Sequence, residues 1–172
     1  MQSGFSGLRL FRSAEVEILR DGSLDFTDEE LARIDVVAVS VHSFHKMPAE
    51  QMTERILRAV KNPHVDILSH PTGRLIGRRP PYVFDEEKVF SAAAKANTAL
   101  EINGQPERQD LCALSAKRAH AAGAFIALST DAHSTAQLGF MSQAVKVARR
   151  AGLTRDDILN CLSADEIVKR FK

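Results

Sequence analysis

Residues 36–42 of this chain read Val-Val-Ala-Val-Ser-Val-His, a short apolar run that ends in an imidazole. Three later runs also lead into polar side chains that bind metals or support metal sites, at His70, at Glu101 and Asn103, and at Asp131 and His133. Short apolar runs are typical of buried parallel strands. In α/β barrels the chemistry lies at the carboxyl ends of the strands, so the pattern predicts one shared site.

Amphipathic helices separate these runs. Residues 49–61 and 85–96 carry apolar residues at helical spacing, namely Met52, Ile56, Ala59 and Val60 in the first and Val89, Phe90 and Ala93 in the second. Further helices are predicted over 109–122 and 137–151, with capping residues at Thr27, Thr154 and Ser163. A strand region over 8–18 precedes them. This alternation predicts an α/β fold with parallel strands, either a barrel or an open sheet.

The composition is that of an ordinary globular protein, with 172 residues, 44% hydrophobic and 26% charged. The net charge of +1 gives no global attraction to nucleic acid, so any such contact is local. No apolar run approaches the roughly 20 residues of a membrane helix, and residues 1–7 show no signal-peptide pattern. We therefore expect a cytoplasmic protein with no membrane partner.

Four side chains follow predicted strands directly and form the candidate metal site: His42, His70, Asp131 and His133. Asp131 and His133 are two residues apart, which places both on the same side of an extended chain. A mixed set of imidazoles and carboxylates suits Zn, Mn or Fe(II) better than Ca or Mg. The set therefore predicts a transition-metal site.

Two further groups of residues have two interpretations each. Glu15 alternates with Glu17, so it either bridges metals or faces water, and the residues alone favour water. Glu101 and Asn103 share one face of a strand, where they either orient metal ligands or simply cap the strand.

The loop that follows His70 is rich in arginine. Arg74, Arg78 and Arg79 are candidates for phosphate binding, since guanidinium groups match phosphate geometry, although a solvated basic loop has the same composition. The remaining histidines, His45, His64 and His120, are assigned to loops or helix ends outside the site.

In these motifs the chain resembles the PHP (polymerase and histidinol phosphatase) domain. The nearest resemblance is to the copy at the C-terminus of bacterial and archaeal family X DNA polymerases. The resemblance covers nearly the whole chain, and the segments that carry it are 14–25, 40–43, 52–55, 62–75, 100–103 and 129–134.

The resemblance implies a (β/α)7 barrel, a distorted relative of the TIM barrel, with up to three metal ions at the strand ends. Glu15 then takes the place of a bridging glutamate, His42 and His70 those of the two middle ligands, and Asp131 and His133 those of the final pair. Glu15, Asp131 and His133 would act in catalysis. The implied cofactors are Mn or Zn ions, with Fe as a further option.

The implied activity is phosphoester hydrolysis, which in family X polymerases is a manganese-favoured 3′–5′ exonuclease acting on DNA 3′ ends. Two alternatives stay open from the sequence. The chain is a phosphoesterase for small phosphates or nucleotides, or it is a non-catalytic metal-binding remnant that supports a partner.

One departure from the family pattern is large, because no histidine precedes His42, whereas the family begins with a His-x-His motif. Residues 1–172 are therefore expected to form a single, apparently truncated PHP domain, a partial barrel without the first strands. Unpaired sheet edges invite pairing with another chain, so a homo-oligomer through the unclosed barrel edge is also expected.

Overall fold

The computed structural model describes residues 9–171, which fold around one parallel sheet. Its strands are β1 (Ser13–Glu17), β2 (Val36–Ser40), β3 (Ile67–Leu68), β4 (Ala99–Asn103) and β5 (Ile126–Ser129). They lie in chain order, and each neighbouring pair is parallel. The predicted α/β class is confirmed, and the strand order is compatible with part of a barrel.

Among the described residues, the first four helices connect successive strands, and the last two follow β5. They are α1 (Asp28–Leu31), α2 (Ala49–Val60), α3 (Glu86–Ala96), α4 (Ala113–Ala121), α5 (Met141–Arg150) and α6 (Ala164–Phe171). The predicted capping boxes form, since Thr27 exchanges hydrogen bonds with Glu30 and Ser163 does so with Glu166. Within residues 9–171, no helix combines the length and the apolar character that a bilayer span requires.

The core lies between the sheet and the helices on its face. The apolar positions predicted on α2 and α3 are all buried there, and Phe90 and Ile56 are among the largest fully buried side chains. Every residue of β4 is buried as well, including the polar Glu101 and Asn103 on one of its faces.

Three predicted boundaries differ from the structure. The helix predicted from residue 109 begins at Ala113, because residues 110 and 111 bond back to β4 through Asn103 and Glu101. The helix predicted from residue 137 is preceded by a 3₁₀ segment, Thr135–Phe140, and becomes α-helical at Met141. The strand predicted over 8–18 covers 13–17, while residue 8 and the segment 1–7, which was searched for a signal peptide, lie outside the described residues.

The parallel arrangement brings the carboxyl ends of all five strands to one edge of the sheet. Glu15 and Glu17 lie on β1, His42 follows β2, and His70 follows β3. Glu101 and Asn103 lie on β4, and Asp131 follows β5. This edge therefore carries the candidate functional site.

Candidate functional site

Glu15, His42 and His70 converge at the carboxyl ends of the first three strands. One ligand atom from each lies within 4.8 Å of the others. Glu15 Oε1 is 2.8 Å from His70 Nε2 and 3.7 Å from His42 Nε2. The two imidazole rings stand edge to face, with centroids 5.1 Å apart. Glu15 thus contacts both imidazoles, although its side chain also stays 38% exposed to water.

The surroundings of His70 fit a metal ligand. The residue is buried, its Nδ1 has no hydrogen-bond partner among the described residues, and its Nε2 lies 2.8 Å from the Glu15 carboxylate. Burial alone lowers the pKa of His70, but the carboxylates of Glu15 and Glu101 raise it by more. The adjacent imidazole in turn lowers the pKa of Glu15 to about 2. Buried unpaired nitrogen beside an ionised carboxylate is a donor set that suits Zn, Mn or Fe(II).

Glu17, which lies two residues after Glu15 on β1, orients His42. Its Oε2 accepts the backbone N–H of His42 at 2.9 Å and lies 2.9 Å from Nδ1 of the same ring. Its Oε1 accepts the Ser43 hydroxyl at 2.6 Å. The pKa of Glu17 is lowered, because these hydrogen bonds outweigh its partial burial. The Nε2 of His42 is thereby the nitrogen left toward Glu15, as expected for a carboxylate that fixes a metal-binding imidazole.

The Glu-x-Glu alternation was the available signal for Glu17, since residues two apart on a strand share a face. Arg55, by contrast, has no such signal. Its fully buried guanidinium donates to the backbone carbonyls of Ile18, Leu19 and Ser43 and lies 3.4 Å from Glu17 Oε1. It therefore holds together the loops that follow β1 and β2.

Glu101 and Asn103 connect the third, fourth and fifth strands. Glu101 accepts the backbone N–H of His70 at 2.6 Å and the hydroxyl of Ser129. The Asn103 amide nitrogen is 3.3 Å from Glu101 Oε2 and 3.4 Å from Asp131 Oδ2. Burial raises the pKa of Glu101. These contacts agree with a supporting role for both residues, which stays a prediction.

Asp131 and His133 lie at the same edge but outside the three-residue cluster found among the described residues. Asp131 has a left-handed backbone, with φ of 48°, and its Oδ2 is 3.3 Å from Arg108 Nε. The His133 ring is exposed, and its Nδ1 is 3.8 Å from Asp131 Oδ1. Their roles as ligands and catalytic groups stay predictions.

The three arginines of the loop after β3 differ in their surroundings. Arg74 donates to the backbone carbonyls of Arg108 and Gln109, and Arg79 donates to that of Gly73 at 2.7 Å. Arg78 is largely exposed and lies 3.5 Å from Glu107. The first two thus stabilise the loop itself, and the phosphate-binding role of all three stays a prediction.

Arg108 was not predicted and lies closer to the site. Its side chain is mostly buried, and its Nη1 has no hydrogen-bond partner within residues 9–171. It lines a cleft of about 470 Å³ beside Asp131, together with Leu75, Gln105, Pro106, Glu107, Gln137 and Phe140. Its position after β4 gives no motif from which the sequence alone would have identified it.

Comparison with known proteins gives relatives over most of the chain, although no family model matches it. It is 38% identical over 167 residues to the DNA polymerase/3′-5′ exonuclease PolX of Bacillus subtilis, an alignment that covers 97% of this chain and 29% of that protein. It is 35% identical over 164 residues to a probable phosphatase of Thermoanaerobacter, covering 90% of this chain and 64% of the relative.

A probable phosphatase of Shewanella oneidensis is 29% identical over 163 residues, with 90% of this chain and 62% of the relative covered. The chain thus spans less than two thirds of each of these relatives. The chain is thus similar to the DNA polymerase/3′-5′ exonuclease PolX of Bacillus subtilis and to bacterial probable phosphatases, which is consistent with the PHP-type domain that the motifs indicate.

Proposed function

We propose that this chain is a metal-dependent phosphoesterase whose metal is held by Glu15, His42 and His70. The observation that supports this most directly is the convergence of three potential ligand atoms within 4.8 Å of one another, with the buried His70 imidazole 2.8 Å from an ionised carboxylate. A divalent ion held there supplies positive charge that stabilises the negative charge developing on phosphate during hydrolysis. Mn or Zn suits this donor set, with Fe(II) as a further option.

The protein's own residues hold and neutralise the reacting groups. Glu17 fixes the ring of His42, and Glu101 fixes the backbone of His70, so both imidazoles keep their orientation. Arg108 lines the adjacent cleft, and its guanidinium supplies positive charge that favours a phosphate group there. Asp131 is held by Asn103 and by Arg108, and it is the carboxylate nearest the guanidinium of Arg108. We propose that Asp131 and His133 also act in catalysis.

The architecture that we propose is a single PHP-type domain over residues 1–172, with the five strands as part of a (β/α)7 barrel. The proposed substrate is a DNA 3′ end, as the name of the Bacillus subtilis relative suggests. Small phosphate esters are the second candidate, because several relatives are named as probable phosphatases.

The test combines metal analysis with two hydrolysis assays. Purified protein is loaded with Mn²⁺, dialysed, and analysed for bound metal, and it is then assayed on a single-stranded oligonucleotide and on p-nitrophenyl phosphate. We expect His70→Ala to lose both the bound metal and the hydrolysis. His120→Ala, an exposed histidine at the end of α4, serves as the control and is expected to keep both.

The outcomes separate the candidates. Faster hydrolysis of the oligonucleotide supports action on DNA ends, whereas faster hydrolysis of the small ester supports a phosphatase. Metal binding without hydrolysis of either substrate would support the non-catalytic interpretation. Full metal content in His70→Ala would contradict the proposed site.

A further inference from the structure

Phe44 has an unusual conformation beside the candidate metal site. It lies two residues after His42, its backbone φ is 53°, and 55% of its surface is exposed. A bulky side chain at positive φ is strained, and such strain persists only where the surroundings impose it. An exposed aromatic ring held in a strained loop at a functional edge therefore calls for an explanation in terms of binding.

The surroundings do impose this conformation. Glu17 binds the backbone N–H of His42 and the hydroxyl of Ser43, and the buried Arg55 donates to the Ser43 carbonyl at 2.9 Å. Both residues that precede Phe44 are thus fixed by buried or half-buried charged groups. The loop presents the ring to solvent from a rigid base, so little conformational freedom is lost when a ligand contacts it.

A positive charge accompanies the ring. The guanidinium of Arg20, in the loop that follows β1, lies 5.3 Å from the centroid of Phe44, within the range of a cation–π interaction. Both side chains are exposed and belong to loops at the carboxyl edge of the sheet. The site edge therefore carries an exposed aromatic surface beside an exposed cation.

We propose that Phe44 and Arg20 form a stacking platform for a nucleobase of a single-stranded nucleic-acid substrate. This inference rests on the proposed phosphoesterase function and names its substrate class. Aromatic rings bind any base through its π face, and nearby arginines bind the phosphate backbone, which is how single strands are held without sequence preference. With a net charge of only +1, the chain needs such a local contact. A small phosphate ester without a base gains nothing from the platform.

The chain allows a direct binding test because it contains no tryptophan. Phe44→Trp places the single tryptophan of the variant in the platform, and a base that stacks on its indole ring quenches the tryptophan emission. The matched control is Phe11→Trp, because Phe11 also lies beside an arginine, with Arg9 5.4 Å from its ring, but precedes β1 at the opposite edge of the sheet. We expect an oligothymidylate to quench the Phe44→Trp variant and an abasic oligonucleotide of equal length to quench it little. Neither strand should quench the Phe11→Trp variant.

A kinetic test uses the wild type and Phe44→Ala with Mn²⁺. We expect the substitution to raise the KM for the oligonucleotide about tenfold, with a smaller effect on kcat. We then compare an oligonucleotide whose terminal residues are abasic with the base-containing one. We expect the loss of the bases to raise the KM of the wild type about as much as the substitution does, and to change the KM of Phe44→Ala little.

The results distinguish this inference from the proposed function. Efficient hydrolysis of oligonucleotides with equal KM values for wild type and Phe44→Ala would leave the proposed function intact and overturn the platform. Equal quenching of the Phe44→Trp variant by base-containing and abasic strands would also overturn it, and would indicate a surface for another kind of partner. Base-dependent quenching of that variant supports the platform even where hydrolysis is absent.

Discussion

A single residue, Arg55, connects the candidate site to the core. Its side chain has no exposed surface, and it donates to three backbone carbonyls that belong to two loops. The guanidinium is satisfied by these acceptors and by Glu17, so its burial is compensated in the folded state. Removal of the side chain leaves the carbonyls and the Glu17 carboxylate without their partner.

We therefore expect Arg55→Ala to lower the free energy of unfolding by about 3 kcal/mol or more, measured by urea denaturation. The control is Arg58→Ala on the same helix. Arg58 forms an exposed ion pair with Asp21, and the loss of such a pair costs at most about 1 kcal/mol. Equal losses for the two variants would show that Arg55 does not fix the loops as described.

Tyr82 provides a residue-scale test of burial by pH. Its phenol is buried, and both the burial and the nearby Asp110 raise its pKa above the ordinary value of 10.0. Because this pKa is higher in the folded state, the neutral phenol of Tyr82 makes its full contribution to folding stability below pH 10.0. That contribution is lost as the pH rises further. We expect no phenolate absorbance at pH values slightly above 10.0 until the protein unfolds.

The measurement is specific because Tyr82 is the sole tyrosine of the chain and there is no tryptophan. Phenolate absorbance and far-ultraviolet circular dichroism are followed together during an alkaline titration, and the same titration in concentrated urea gives the unfolded reference. Ionisation near the ordinary pKa without loss of secondary structure would contradict the burial of the phenol.

At the scale of elements, the loop after β3 depends on Gly73. Gly73 has φ of 60°, and a Cβ atom there would lie 2.4 Å from Cε1 of the buried Tyr82 ring. Gly77 in the same loop has φ of 77°, but a Cβ atom there would meet nothing within 4 Å. The two glycines therefore separate steric contact from backbone strain.

We expect Gly77→Ala to lower the free energy of unfolding by about 1–2 kcal/mol, the cost of a left-handed alanine. Gly73→Ala should cost about 1–3 kcal/mol more, because the Tyr82 ring must also move. Because this loop begins at His70, we further expect Gly73→Ala to weaken Mn²⁺ binding. Chemical denaturation and metal titration measure the two effects, and equal stabilities of the two variants would rule out the steric contribution.

The elements show which parts of the structure a sequence specifies locally. The buried faces of α2 and α3 and the strand ends at His42 and His70 follow from periodicity, and the structure confirms them. Residues 109–112 are predicted as helix, but the backbone of Asp110 and Leu111 bonds to β4 instead. Such pairing depends on a strand that is near only in the folded chain, so local propensity does not reveal it.

At the scale of the whole molecule, the sequence also predicts the candidate site only in part, because some of its contacts form only in the folded chain. The chain order of the parallel strands brings His42 and His70 together, as the shared strand-end pattern indicates, and Glu15, which only the family resemblance assigns to the site, lies with them. Arg55 and Arg108 were not predicted, because each acts through contacts with distant loops. Charged residues on helices and loops are usually solvated, so their burial becomes visible only when the tertiary structure is known.

The two end strands of the sheet differ in how their outer edges are covered. Asn160 exchanges hydrogen bonds of 2.7 and 3.0 Å with the backbone of Leu128 on β5, and Ile158 bridges to Ile126. Within residues 9–171, β1 pairs with no strand other than β2, and beyond that pairing only its last residue, Glu17, accepts a further backbone hydrogen bond, from Asp25 at 3.1 Å. An unpaired strand edge is a template for another strand, so β1 is the edge at which we propose that a second copy associates.

We expect this association to depend on concentration, because a five-residue strand offers few backbone hydrogen bonds. Size-exclusion chromatography with light scattering should give a molar mass that rises from monomer toward dimer, and hydrogen exchange of the β1 amides should slow in parallel. Asn160→Ala uncovers part of the β5 edge and should increase the association, whereas Asn62→Ala, a surface amide that contacts Asp28, should not. A monomeric mass at every concentration, with rapid exchange in β1, would exclude pairing through this edge, since a strand that acquires a partner protects its amide hydrogens.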